Sequence, residues 1–264
     1  EIYAIEQALA GDILVRPEHP VAPDDSHQER LEKAQKTAAN IEKFLSLSND
    51  FAGAKYLTLH GYNYSMMDEF LSTVTDRVPA GVLYEGFDGI ALGSLVPKKD
   101  NRGDLIKAVT DCKEIMDDWG MEEWPLHVLG ISSRAIPLLA TMGADTFDSS
   151  SHLHGAINGK YSHSLMGNKH IDDVDFSNCD CRVCQSELLV DRMKGNAEYQ
   201  KDILGPVAMH NIITEKKALA ELRHRIQQSD TDGLIAYLEE AFDRDKTMRR
   251  FTHQVVNESL GGYF

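Results

Sequence analysis

The sequence predicts an α/β fold, with a parallel sheet in its first part and helices in its second. Two observations carry this. Short apolar runs alternate with amphipathic helical stretches over residues 1–150, and the pattern then gives way to a Ser-, His- and Gly-rich segment followed by helices over 151–264. A chain of 264 residues is long enough for one large domain or two small ones, and it can bury a sizeable core.

The expected strands are AGDILV (10–15), AKYLTLHG (54–61), DGIALGSLV (88–96), LHVLGI (126–131) and the short ADTFD (144–148), each an apolar run bounded by turn residues. Helical periodicity fills the intervals at 27–47, 66–78, 102–120 and 133–143. Repeated βα units imply a parallel sheet, either doubly wound or closed as a barrel. Several strands end in Gly or a polar residue: His60 and Gly61, Gly93 and Ser94, Gly130, Asp148. Parallel α/β folds gather their chemistry at these carboxyl ends. Beyond the irregular segment at 149–185, helices are expected at 187–204, 209–228 and 234–245.

Composition narrows the function. Lys and Arg total 27 against 42 acids, a net charge of −15, so any nucleic-acid contact needs a local basic surface. Lys160, Lys169, Arg182, Arg192 and Lys194 offer the least acidic region. No run of about 18 apolar residues occurs, and EIYAIEQALAGD carries acids where a signal peptide carries positive charge. The expectation is a soluble, cytoplasmic protein with no membrane partner. The chain opens on Glu1 in a helical pattern, as an excised or processed piece would.

Cys179, Cys181 and Cys184, spaced C-x-C-x-x-C, bring three sulfurs within reach of one ion, since thiolates bind Zn²⁺ at about 2.3 Å. Disulfides are disfavoured in so Cys-poor a chain, and three free thiols in a polar loop invite oxidation. His210 leads the fourth-ligand candidates because it opens a helical stretch, with His170, His163 and His154 behind it. Four protein ligands would make the zinc structural. Cys112 falls in a helical pattern and reads as plain core.

The zinc spacing, taken with GADTFDSSSHLHGAINGKYSH upstream, resembles the nucleic-acid guanine transglycosylase family. Its best-known members exchange guanine in tRNA for a 7-deazaguanine, and related enzymes modify DNA. AGDILVRPEHPVAPDDS is similar to a strand and acidic turn of that family, YLTLHG to its V-Q-G strand end, and FDGIALGSLVP to its G-Y-A-I-G-G segment. HVLGISSRAIPLLATMGADTFDSSS resembles the archaeal, archaeosine-type version, and CDCRVC and MHN follow in the family's order.

The resemblance implies a TIM-type (β/α)₈ barrel, incomplete at the amino-terminal side, with a zinc-binding helical subdomain. It implies Asp148 as the catalytic nucleophile, Cys179, Cys181, Cys184 and His210 as ligands of a structural Zn²⁺, and Glu18, His60, Gly61, Gly93 and Ser94 around the base. Glu18 stands for the family's Asp and His60 for its Gln. The family's D-S-G-G-F-Q strand end has no counterpart here, so roughly the first third of that fold lies outside this sequence. The expected partners are tRNA or DNA, a free 7-deazaguanine base, and a second copy or partner chain that covers the open sheet edge.

Read without the resemblance, Asp148 suits nucleophilic displacement at a sugar carbon, as in retaining glycosidases, or it caps a turn. Glu18 in RPEHP is a loop acid stiffened by flanking prolines, and His60 at a strand end is also compatible with a hydrogen-bonded core. Two other functions stay open: a non-catalytic, partner-dependent nucleic-acid-binding subunit, and a zinc-stapled protein acting on a nucleoside.

Overall fold

The computed structural model describes residues 2–15, 18–98, 101–131, 135–164, 167–228, 230–243 and 245–261. The chain divides into two compact units, residues 1–131 with 142–148, and residues 132–141 with 149–264.

The first unit contains α1 (Ile2–Ala8), β1 (Ile13–Val15), α2 (His27–Leu47), β2 (Ala54–His60), α3 (Tyr64–Thr75), α4 (Ala80–Gly86), β3 (Gly89–Gly93), α5 (Arg102–Asp118), β4 (Leu126–Val128) and β5 (Thr146–Phe147). Among the described residues the strands form one parallel sheet in the order β1-β2-β3-β4-β5. That order never reverses, which is the winding of a barrel sheet and not of a doubly wound one. What is observed is a curled, open, parallel sheet of five strands.

All five residues of β3 and the last five of β2 are buried, so these strands read as continuous apolar runs, as strands covered on both faces do. Helices pack through single apolar stripes. In α2 the buried positions are Ala34, Thr37, Ala38, Ile41 and Phe44, and in α3 they are Met67, Phe70, Leu71 and Val74, both at helical spacing. Ser26 opens α2 with a capping box: its hydroxyl accepts from the Glu29 N–H, and the Glu29 carboxylate accepts from the Ser26 N–H. Cys112 is fully buried in α5, and burial pushes its thiol up to about 12, which fits a core residue.

The second unit holds α6 (Ile136–Thr141), α7 (Ser151–Ile157), the antiparallel pair β6 (Lys160–Ser162) and β7 (Asn168–His170), then α8 (Glu187–Met193), α9 (Gln200–Gln227), α10 (Thr231–Ala241) and α11 (Lys246–Gly261). The segment expected to be irregular thus contains a helix and a hairpin. The helix expected at 187–204 stops at Met193, because Gly195 takes φ +94. The next helix starts at Gln200, nine residues before the expected 209, and accommodates Pro206. The expected helix over 133–143 is observed as Ile136–Thr141, and its positions 133 and 134 lie outside the described residues. Among the described residues no helix is long and apolar enough to cross a membrane.

Leu59 in β2 is 0 % exposed. Leu59→Ala should cost about 2–5 kcal/mol, read as a lower urea midpoint with unchanged slope; a loss below about 1 kcal/mol would mean the sheet core is not packed as described.

Candidate active site and metal centre

Because the sheet is parallel, the carboxyl ends of its strands open along one edge. The register sets His60 opposite Gly93, and the His60 ring lies where a Gly93 side chain would be, with Cε1 2.8 Å from an ideal Cβ position. Glycine is needed there for the ring to fit. His60 Nδ1 then reaches Ser94 Oγ at 2.9 Å, and Ser94 Oγ also accepts from the Val21 N–H at 2.9 Å. With the hydroxyl proton directed to Nδ1, the imidazole proton sits on Nε2, 3.6 Å from Glu18 Oε2. That separation is longer than a hydrogen bond. Ser94 adopts φ +67, a strained conformation for a residue with a side chain, and its two hydrogen bonds hold it there. Glu18, His60, Gly93 and Ser94 are thus brought together. His60 is only 1 % exposed, and Gly61 packs against Met67.

Asp148 follows β5 with a side chain 58 % exposed. Its Oδ1 accepts the Gly130 N–H at 2.7 Å and lies 3.3 Å from His127 Nε2. Gly130 turns the chain after β4 with φ +70, where an added Cβ would meet Val96 Cγ2 at 2.6 Å, so only glycine aims this N–H without strain. His127 Nδ1 is 2.8 Å from Thr146 Oγ1, its partner across the β4–β5 ladder. The His127 hydrogen bond, followed by that of Gly130, holds the Asp148 carboxyl below the usual carboxylate range. The result is a carboxylate that is ionised at neutral pH at a strand end, there a nucleophile or an acceptor but not an acid.

Sequence reasoning missed His127 and Thr146. The signal available was a polar residue at the middle position of LHV, whose neighbours Leu126 and Val128 are buried; alternation turns it to the other face.

In the second unit, Cys179, Cys181, Cys184 and His210 converge, their ligand atoms all within 4.8 Å of one another. His170, His163 and His154 are not part of the cluster. His210 Nδ1 lies 3.7, 3.3 and 3.5 Å from the three sulfurs of Cys179, Cys181 and Cys184. Ligand atoms about 2.0 and 2.3 Å from a shared ion at the tetrahedral angle lie roughly 3.5 Å apart. His210 Nε2 donates to the Ser162 carbonyl at 2.7 Å, which fixes the tautomer and turns the Nδ1 lone pair to the sulfurs. Burial holds His210 below its ordinary value, favouring the neutral, ligating form. The donor set fits one metal ion.

The surroundings are built for it. The Tyr161 ring stacks on His210 with centroids 3.7 Å apart, and its hydroxyl is 3.1 Å from Cys184 Sγ. Asn211 ties α9 to its neighbours: its Oδ1 accepts the Ser162 N–H, and its Nδ2 donates to the His152 and Lys160 carbonyls. Of the five expected cations, Lys160, Lys169, Arg182 and Lys194 are exposed and Arg192 is half-buried. Exposed Asp172, Asp173, Asp175 and Asp180 lie among them in the sequence.

A family model described as queuine tRNA-ribosyltransferase matches residues 1–244. The chain belongs to this family. Its relatives include the tRNA-guanine(15) transglycosylases of Haloferax volcanii, 30% identical over 58% of this chain, and of Thermococcus onnurineus, 24% identical over 89% of it. That of Aeropyrum pernix is 23% identical over 86% of the chain. The chain spans 28%, 38% and 42% of these relatives' lengths, respectively.

Chelation should strip metal from the wild-type protein and lower its thermal midpoint, and Cys181→Ser should reproduce both effects. Metal analysis and calorimetry check this; a stripped protein that melts unchanged would show that the cluster is not a structural staple.

Proposed function

We propose that this chain is the catalytic part of a base-exchange transglycosylase that replaces guanine in a nucleic acid by a 7-deazaguanine of the preQ0 type, through a covalent glycosyl–Asp148 intermediate. The observation that carries the reading is the ionised, oriented carboxylate of Asp148 at a strand end, in a chain of a family described by ribosyl transfer on tRNA. Base exchange with a stable intermediate requires such a nucleophile. Asp148 displaces the base from C1′ and holds the sugar until the incoming free base takes its place.

Glu18, His60, Gly61, Gly93 and Ser94 are proposed to border the base. The fixed His60–Ser94 pair makes this part of the pocket rigid, and the half-buried Glu18 carboxylate lies beside it. The metal is proposed to be zinc, held by Cys179, Cys181, Cys184 and His210; four protein ligands leave no open position for water, so the ion supplies cross-linking and not chemistry. The sheet, open at β1 and β5, is proposed to belong to a TIM-type (β/α)₈ barrel closed by further strands, from a longer chain, a second copy or a partner subunit.

The relatives' names favour tRNA as the polymer. Duplex DNA is the second substrate to test, because the CDCRVC cluster and the Asp148 motif also resemble those of the related DNA-modifying enzymes. Incubation with labelled tRNA and labelled DNA in parallel, resolved on a denaturing gel, should give a protein-linked band on one polymer that Asp148→Asn abolishes. An undiminished band in the variant would remove Asp148 from the role. No band on either polymer, with metal bound and the chain folded, would point to a non-catalytic, partner-dependent subunit.

A further inference from the structure

We propose that His127 is a positioning residue that locks one carboxylate oxygen of Asp148, so that Oδ2 attacks the sugar and Oδ1 takes up the returning charge when the intermediate resolves. This rests on the reading of Asp148 as the nucleophile. Three observations carry it. His127 Nε2 and the Gly130 N–H both approach Oδ1, at 3.3 and 2.7 Å. The His127 side chain is 15 % exposed against 58 % for Asp148, so the donor is walled in while the carboxylate faces out. Thr146 Oγ1 at 2.8 Å from Nδ1 can donate its proton there, which leaves the imidazole N–H on Nε2, the ring nitrogen nearest Asp148 Oδ1.

The consequence for the reaction is asymmetric. In the first step a lone pair on Oδ2 forms the bond to C1′, the C1′–N9 bond breaks, and its electron pair leaves with the base, which takes a proton from water. Oδ1 becomes an ester carbonyl and its two donors lose most of their electrostatic hold. In the second step the N9 lone pair of the incoming base forms the new bond to C1′, and the N9 proton passes to water. The C1′–Oδ2 bond breaks and its electron pair returns to a carboxylate whose charge spreads onto Oδ1. There the fixed donors are strongest. They favour resolution of the intermediate over its formation.

His127→Leu removes the donor, while His127→Gln keeps an N–H near the same place. His127→Leu should lengthen the life of the covalent adduct about ten- to hundredfold when free base is added, with His127→Gln falling back toward wild type. Carbon-13 titration of the Asp148 carboxyl requires no substrate, and in it His127→Leu should raise the midpoint and His127→Gln raise it less. A merely structural histidine would lower the melting temperature without this ordering. An unchanged Asp148 midpoint, or an adduct lifetime equal in all three proteins, overturns the proposal. An adduct that survives Asp148→Asn, or none on either polymer in wild type, overturns the nucleophile reading itself and the proposal with it.

Discussion

The parallel register of the sheet is the constraint on which the rest of the first unit depends. It sets His60 beside Gly93 and His127 beside Thr146, and each candidate contact follows from one of these pairings. The His60 ring needs the absent Gly93 side chain to reach Ser94. His127 needs Thr146 to fix its tautomer before it can face Asp148. A slip of one residue would turn every one of these side chains to the opposite face, and the fully buried runs of β2 and β3 make that slip prohibitively costly.

The second unit has its own apolar core, with Leu138, Leu139, Leu234, Leu238, Phe242 and Val256 fully buried, and the Cys179, Cys181, Cys184 and His210 cluster lies apart from it in sequence, against a smaller set. That set is formed by Ala156, Tyr161, Phe176, Val183, Met193 and Val207 together with two of the ligand cysteines. Loops that carry ligands at 179, 181 and 184 have little regular hydrogen bonding to hold them. An ion held by those loops and by α9 would fix both at once, and the hydrogen bonds of His210 and Asn211 to β6 would extend the hold to the hairpin.

What could be read in advance was what is local. The cysteine ligands declared themselves because C-x-C-x-x-C places three donors on one short loop. The strands showed as apolar runs, and Asp148 as an acid closing one of them. Strand β7, with the sequence NKH and every residue exposed, has no periodicity to read, so the hairpin was missed. The stop at Met193 depends on a backbone conformation at Gly195, which composition does not display. His127 was missed for a different reason: its meaning lies in partners 19 and 21 residues away, Thr146 and Asp148, and only the ladder brings them together. Among four fourth-ligand histidines the sequence could rank but not choose, because the choice depends on Ser162 and Tyr161 closing around His210.

The measurement that most directly tests the account is the identity of the residue that carries the sugar. A denatured adduct, digested with nuclease and protease and mapped by fragmentation mass spectrometry, should place the nucleotide on the peptide containing TFDSS and on Asp148 within it. Attachment to any other carboxylate, Glu18 first among them, would contradict the assignment of nucleophile and the role given to His127.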